Sequence, residues 1–478
     1  MIIGNRQISQ TTFYQTVAYT YLATFVITSI FLGLSPILFA LFTAVGAIFI
    51  LAYAELGLWL IIVFTMLFER FFTLQPLIIN QNTYKLYPLD IVMGLLIFSI
   101  LFSLIKSKNK NKITIGWPEK LILLFITISG LYFIRSLFDI NADFDVAFSS
   151  FKNYAFYPLL YFITIYLIND AKKFKHTLHT ILISGVLIIG FIIIGVITGQ
   201  GLWTEYTPLS TAGVRLLAGT HAFYLVLCSL IVLSLLAYKR FFSNQLPTMI
   251  LWIWSFGIAM SLMRHLWLGL VFGGAVIFAL IPRKNKKILA SYGGKNILTV
   301  FAILVVLIMA GNIFFTYDLN NPVFNFLQDL QIRAASIGNT SIDTSVAWRF
   351  SLWQSAQEVW LTNPIFGIGL GHIIPLELDG WRTFEEVRNL HNSLLAILVQ
   401  MGLLGLISFL GLIASVLITS RKKIFNDQNL TPYYIGLYAG VAVILFCSLF
   451  QPYFETNLTA IFLWIFLGLI ATSRNLKT

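Results

Sequence analysis

His391 and Asn392 stand where a long polar segment gives way to an apolar run, and after nine more residues the run contains Gly402-Leu-Leu-Gly405. An ionisable side chain at such a boundary is a functional candidate, because charge is costly in hydrocarbon. Arg135, Arg215, Arg264 and Arg349 lie near the ends of other apolar runs or of the segment before His391. A guanidinium presents a planar fork to phosphate oxygens. A neutral imidazole, with an ordinary pKa of about 6.5, can take the proton of a hydroxyl. The two residue types together suit group transfer from an anionic, diphosphate-activated donor to a hydroxyl. The arginines would neutralise the leaving group as its bond breaks, and no metal is required for that task.

The elements that must position these residues are membrane helices. The chain is 58% hydrophobic and 10% charged, too little charge for the water-facing surface of 478 residues. Apolar windows of the roughly 17 to 25 residues needed to cross a bilayer recur throughout. They predict spans at 16–34, 36–53, 55–71, 89–105, 121–138, 153–169, 177–198, 220–238, 247–264, 266–282, 297–316, 391–419, 432–450 and 457–473. The expected fold is therefore all-α and polytopic, with 12 to 14 transmembrane helices in one domain over residues 1–478. The runs lack the alternation of barrel strands. The net charge of +12 is spread in short Lys/Arg blocks between spans, which excludes a nucleic-acid surface and fits the positive-inside rule. With those blocks inside, both termini are cytoplasmic, and 21 of the 31 Lys and Arg fall inside against 4 of the 19 Asp and Glu. The first span is expected to stay as an anchor. Cys228 and Cys447 fall inside spans and read as packing residues.

One insertion interrupts the pattern. Residues 317–390 form a large extracytoplasmic loop, expected to contain short helices. Within it Ala347 to Leu361 reads as an amphipathic helix suited to the headgroup plane. Asn363-Pro364 should end that helix. Gly367, Gly369 and Gly371 permit close backbone approach or unusual backbone angles. Gly402 and Gly405 read as helix-packing positions. Arg135 and Arg349 have alternative readings as salt bridges to Asp139 and Asp343. His221 and His372 are weaker candidates, and His176 and His179 fall on the opposite side. Glu377, Asp379, Glu385 and Glu386 read as a solvated face on which one carboxylate could orient His391.

His391-Asn392 followed by Gly402-x-x-Gly405 resembles the signature of the bacterial O-antigen ligase and polymerase superfamily. Trp348-Arg349 through Trp353, Asn363-Pro364, Gly367-Ile-Gly369-Leu-Gly371, Ser261-Leu-Met-Arg264 and Val214-Arg215 are similar to further segments of that family. The resemblance covers the stretch from Arg215 to the C-terminus. It implies an all-helical fold, a glycan donor on undecaprenyl diphosphate, and transfer at the outer face of the bacterial cytoplasmic membrane without a cofactor. It implies that Arg215 and Arg264 bind the diphosphate, that His391 activates the acceptor hydroxyl, and that Arg349, Arg135 and Asn392 support the site. The acceptor would be a glycan, a lipid or another cell-envelope component, with membrane lipids as surroundings. The chain departs from the family in His265, which follows Arg264 where a small residue is usual. A polymerase joining lipid-linked repeat units would use the same donor chemistry. A lipid-glycan flippase would instead need charge at mid-membrane and paired halves, neither of which the sequence offers. A membrane scaffold predicts silent substitutions at Arg215, Arg264 and His391.

Overall fold

The computed structural model describes residues 2–3, 6–7, scattered positions between 16 and 28, and then 36–68, 77–79, 82–84 and 87–106. It continues over 115–138, 140, 142–198, 217–241, 243–295, 299, 344–378 and 381–476. The predicted spans 16–34 and 297–316 lie almost wholly outside these residues, as do Arg215, Asp139 and Asp343. Chain contacts divide the protein into two compact units.

The first unit comprises residues 1–112, 166–168 and 172–184. It holds two short hairpins, β1 (Ile2–Ile3) with β2 (Arg6–Gln7) and β3 (Leu77–Ile79) with β4 (Asn82–Tyr84). Its helices are α1 (Pro36–Ala52), α2 (Ala54–Leu67) and α3 (Pro88–Lys106). Proline opens α1 and α3, where its missing N–H costs nothing. Helix α2 is buried from Glu55 onward, and Lys173 pairs with Glu55 at 2.6 Å.

The second unit carries every described candidate residue. It contains α4 (Trp117–Phe138), α5 (Phe144–Phe151), a π-helical segment (Lys152–Phe156), most of α6 (Leu159–Leu167) and the C-terminal half of α7 (Ala171–Thr198). There follow α8 (Gly219–Ala237), α9 (Gln245–Met260), α10 (Arg264–Leu280) and a helical stretch at 283–295. Helix α11 (Thr344–Leu361), β5 (Ile373–Leu378), β6 (Trp381–Glu386), α12 (Ser393–Asn426), α13 (Thr431–Ser448) and α14 (Asn457–Thr472) complete it. Among the described residues five helices are long and apolar enough to cross a membrane: α3, α4, α8, α12 and α13. The shorter apolar helices include α9, α10 and most of α14. Each remaining predicted span coincides with helix; 153–169 begins earlier, at Phe144, and passes through the π segment. The protein is an α-helical polytopic membrane protein.

Helix α8 lies at the centre of this unit, buried from end to end. Small residues let its neighbours approach. A Cβ on Gly436 of α13 would sit 2.7 Å from the Ile231 backbone, and one on Gly273 of α10 would sit 2.5 Å from Leu230. At one end Arg474 donates to Glu119 and, at 2.9 Å, to the Tyr161 hydroxyl, tying the end of α14 to α4 and α6.

The loop differs from expectation in two ways. Helix α11 does not present one apolar face outward: Trp348, Leu352, Ala356 and Val359 turn inward against Ile374, Leu376, Val387 and Leu390, while Phe350 and Leu361 remain exposed beside Gln354 and Gln357. Among the described residues the loop also holds, beside a 3₁₀ turn at Val387–Asn389, an antiparallel hairpin that was not expected, β5 with β6, pairing Ile373 to Glu386. Its period-two pattern is visible in the burial of Ile374 and Leu376 between exposed Ile373 and Pro375.

Helix α12 is broken at Gly402, whose φ of 64° and ψ of −166° are essentially restricted to glycine. The segment 364–369 enters the break. Ile368 and Gly369 N–H donate to Val399 and Gln400 O at 2.9 Å, while Leu403 and Leu404 N–H donate to Pro364 and Ile365 O at 2.9 and 3.2 Å. Gly367, Gly369 and Gly371 all have positive φ, as the sequence allowed. Gly402 is thus a break, not the packing position expected, because a Cβ there would lie 2.2 Å from Ile365 O. Gly402→Ala should cost about 1–3 kcal/mol from the glycine-only backbone conformation alone. Its thermal midpoint in detergent should fall clearly below wild type. Gly411→Ala, where nothing lies within 4 Å of the new Cβ, should not fall, and equal midpoints for the two variants would contradict the interlock.

Candidate active site

His391 is fixed from both sides along the chain. The Trp353 indole N–H donates to Leu390 O at 2.8 Å, and the Asn392 side chain caps α12 by accepting from Leu395 N–H at 3.1 Å. Between these anchors His391 adopts φ +51°. A left-handed non-glycine residue costs on the order of 1–3 kcal/mol and persists only where its surroundings over-determine it. Asn392 supports the site as a helix cap.

His391 is buried, 7% exposed as a residue. Trp348 meets it edge to face with centroids 5.6 Å apart, and Nδ1 lies 3.2 Å from Gln451 Oε1. With the amide oxygen accepting, Nδ1 carries the proton and Nε2 presents its lone pair. Burial pushes the pKa of His391 below its usual value; the nearby Arg349 charge adds to this and the Gln451 bond opposes it. The N-terminal end of α12 is also a poor place for a cation. The result is a neutral imidazole suited to proton acceptance.

Gln451 belongs to the turn at 449–456 between α13 and α14, which the sequence reading passed over. Tyr453 of the same turn packs on Phe223 with centroids 4.7 Å apart, and its hydroxyl lies 2.8 Å from His265 Nε2. His265 therefore holds the turn to α10, a role that accounts for its place after Arg264. Arg264 is half-buried at the first position of α10, just after Leu262, which has φ +56°. Ser393, the first residue of α12, sets its hydroxyl oxygen 3.1 Å from Gln451 O and 2.6 Å from Glu455 Oε2. The Tyr154 hydroxyl reaches Glu455 Oε1 at 3.4 Å, and Asn153 donates to Glu455 O at 2.8 Å. Both come from the π segment, an element often found at functional sites.

The structure brings His391, Asn392 and Arg349 together, and places Arg264 one residue from a contact to the same turn. Arg135 lies elsewhere: its guanidinium donates to Phe366 and Gly367 O at 3.3 Å, supporting the glycine segment that fills the α12 break. Arg215 lies outside the described residues. Among the described residues no group of three or more His, Cys, Asp or Glu could hold a metal ion. The polar residues of the 449–456 turn, Gln451, Tyr453 and Glu455 between two apolar runs, were the available signal for what was missed.

Apolar helices around a buried polar cluster define the chain as an integral membrane protein with a loop-capped polar site. Residues 248–410, about a third of the chain, match the family model described as O-antigen ligase. Over that stretch the chain is similar to the O-antigen ligase family. None of the curated proteins matches it. The matched stretch contains Arg264, Arg349, His391, Asn392, Gly402 and Gly405; the turn carrying Gln451 and Glu455 lies beyond it.

Gln451→Glu sets a carboxylate against Nδ1 of His391, and an opposite charge at that distance raises a histidine pKa by roughly 1–3 units. Histidine-labelled NMR titration should register that rise. An unmoved His391 resonance would contradict the Nδ1 contact.

Proposed function

We propose that the protein is a glycosyltransferase of the lipid-linked polysaccharide ligase type. It moves a glycan from undecaprenyl diphosphate to an acceptor hydroxyl at the outer face of the bacterial cytoplasmic membrane, with both termini cytoplasmic. The observation that carries this reading is His391, a neutral imidazole inside the matched ligase region whose Nδ1 meets Gln451 and whose Nε2 has no hydrogen-bond partner among the described residues.

In the reaction the acceptor hydroxyl oxygen attacks the anomeric carbon from the face opposite the diphosphate. A glycosidic C–O bond forms, the anomeric carbon to phosphate-oxygen bond breaks, and its electron pair leaves with undecaprenyl diphosphate. His391 takes the hydroxyl proton and later releases it to solvent or to the departing diphosphate. Backside attack inverts the anomeric centre. Arg264 and Arg215 neutralise the diphosphate, in place of a metal ion, and Arg349 keeps His391 unprotonated while adding positive potential. The acceptor is a separate glycan, lipid or envelope component; a second lipid-linked repeat unit as acceptor would make the same chemistry a polymerisation.

Removal of a positioned general base costs about 10²–10⁴-fold. His391→Ala should therefore lose transfer from purified undecaprenyl-diphosphate glycan by that factor, with chelator present, while retaining the melting behaviour of wild type. Arg264→Ala should lose transfer as well. Product from donor alone identifies a polymerase, and product only with added acceptor identifies a ligase. Undiminished transfer by His391→Ala would overturn the mechanism.

A further inference from the structure

The bend that follows α11 turns apolar side chains outward over a backbone whose polar groups are already paired. Leu361, Ile365 and Phe366 are exposed, Ile365 at 57%. Beneath them Pro364 and Ile365 O accept from Leu403 and Leu404 N–H, and Phe366 and Gly367 O accept from the Arg135 guanidinium. Gly367 N–H donates to Asn363 O at 2.7 Å and Phe366 N–H to Asn363 Oδ1 at 3.4 Å, while residue 364, a proline, has no N–H. We propose that this bend, residues 361–366, is a lipid-contacting lip of the loop, seated in the bilayer where acyl chains meet headgroups, at the end of the unit where His391 lies.

Two helix lengths place it there. Helices α4 and α12 pack together, with the Phe125 and Phe409 rings 5.4 Å apart. Their far ends are tied at one level: Lys423 of α12 donates to Arg474 O, and the Arg474 guanidinium donates to Glu119 of α4. From Leu403 to Arg421, where the basic block begins, α12 runs 19 residues, about 28 Å at 1.5 Å per residue. Trp117, an exposed indole of the kind enriched at bilayer interfaces, opens α4, and the 19 residues from it to Arg135 again give about 28 Å. Both lengths match a hydrocarbon core of roughly 30 Å. Leu403 and Arg135 both bond the bend, so the bend sits where hydrocarbon ends, a level from which an arginine reaches water.

The outward surface agrees. Leu403, Leu404 and Ile407 on α12, and Leu131, Ile134 and Phe138 on α4, are exposed on helices long and apolar enough to cross a membrane. The bend bridges these two faces and continues them with Ile365 and Phe366. Trp360 donates its indole N–H to Pro364 O at 3.1 Å, adding to the bend a residue type enriched at this boundary. One to two turns back on α11 the exposed side chains include Gln354, Gln357 and Glu358, so the polar surface resumes there. Irregular backbone at the edge of hydrocarbon requires its polar groups to be paired within the protein, and here they are.

Nitroxide accessibility in lipid bilayers tests this. A single cysteine is placed at Ile365 or Phe366, with Ile407 as the lipid-facing reference and Gln354 as the water-facing one. Cys228 and Cys447 are buried, and unsubstituted protein supplies the labelling blank. The interlock uses the backbone of 365 and 366, so replacing their exposed side chains leaves it in place, and the two sites check each other. Labels at both should relax with oxygen and resist a water-soluble nickel chelate, as at Ile407, but at a shallower depth. Nickel access equal to that at Gln354 would overturn the proposal. Protection from both reagents would overturn it as well, in favour of a second copy of the chain if that protection is lost on dilution into excess lipid. None of these outcomes depends on whether the protein is a transferase.

Discussion

A broken backbone inside a membrane protein must find hydrogen-bond partners within the protein, since hydrocarbon supplies none. The break at Gly402 meets that constraint with one segment, 364–369, whose amides and carbonyls pair with those on both sides of the gap. Much of the site's geometry follows from this interlock. The segment begins just after α11, so seating it in α12 sets the helix that carries Trp348 and Arg349 over the start of α12, where His391 lies. Arg135 and Ser136 of α4 fasten the same segment from the other side, Ser136 accepting from Leu370 N–H at 2.7 Å.

The turn at 449–456 is the second organising element. It reaches α10 through Tyr453 and His265, α12 through Ser393, the π segment through Asn153 and Tyr154, and the imidazole through Gln451. Polar groups gathered in a low-dielectric interior are costly if unpaired and strongly directional when paired. That explains how a histidine with a left-handed backbone is held in one orientation, with Nδ1 against Gln451. It also assigns the cations different tasks: Arg349 acts on the imidazole electrostatically, whereas Arg135 organises backbone that never touches it.

The helical architecture was legible because hydrocarbon permits few alternatives to long apolar helices, and predicted spans such as 220–238 and 432–450 recur almost residue for residue as α8 and α13. His391 and Arg349 were legible as well, since charge at the edge of an apolar run is conspicuous. Gly402 was noticed and misread: its spacing to Gly405 fits close packing, and nothing local reveals that a segment more than thirty residues earlier will occupy it. The hairpin was missed although Asp379-Gly380 between two alternating runs is a turn signal, because the long loop was weighed for helices alone. Gln451 and Glu455 gain their meaning only from tertiary contacts to Ser393 and His391, which sequence spacing does not encode.

Amide hydrogen exchange at the interlock tests the central claim most directly. The N–H groups of Ile368, Gly369, Leu403 and Leu404 each have a backbone partner across the break, so they should exchange as slowly as Ala396, whose N–H is bonded at the start of α12. The account predicts protection at all four, shared with the segment at 391–393. Rapid exchange at Ile368 and Gly369, with 391–393 still protected, would show that the histidine is held without the interlock and would contradict it.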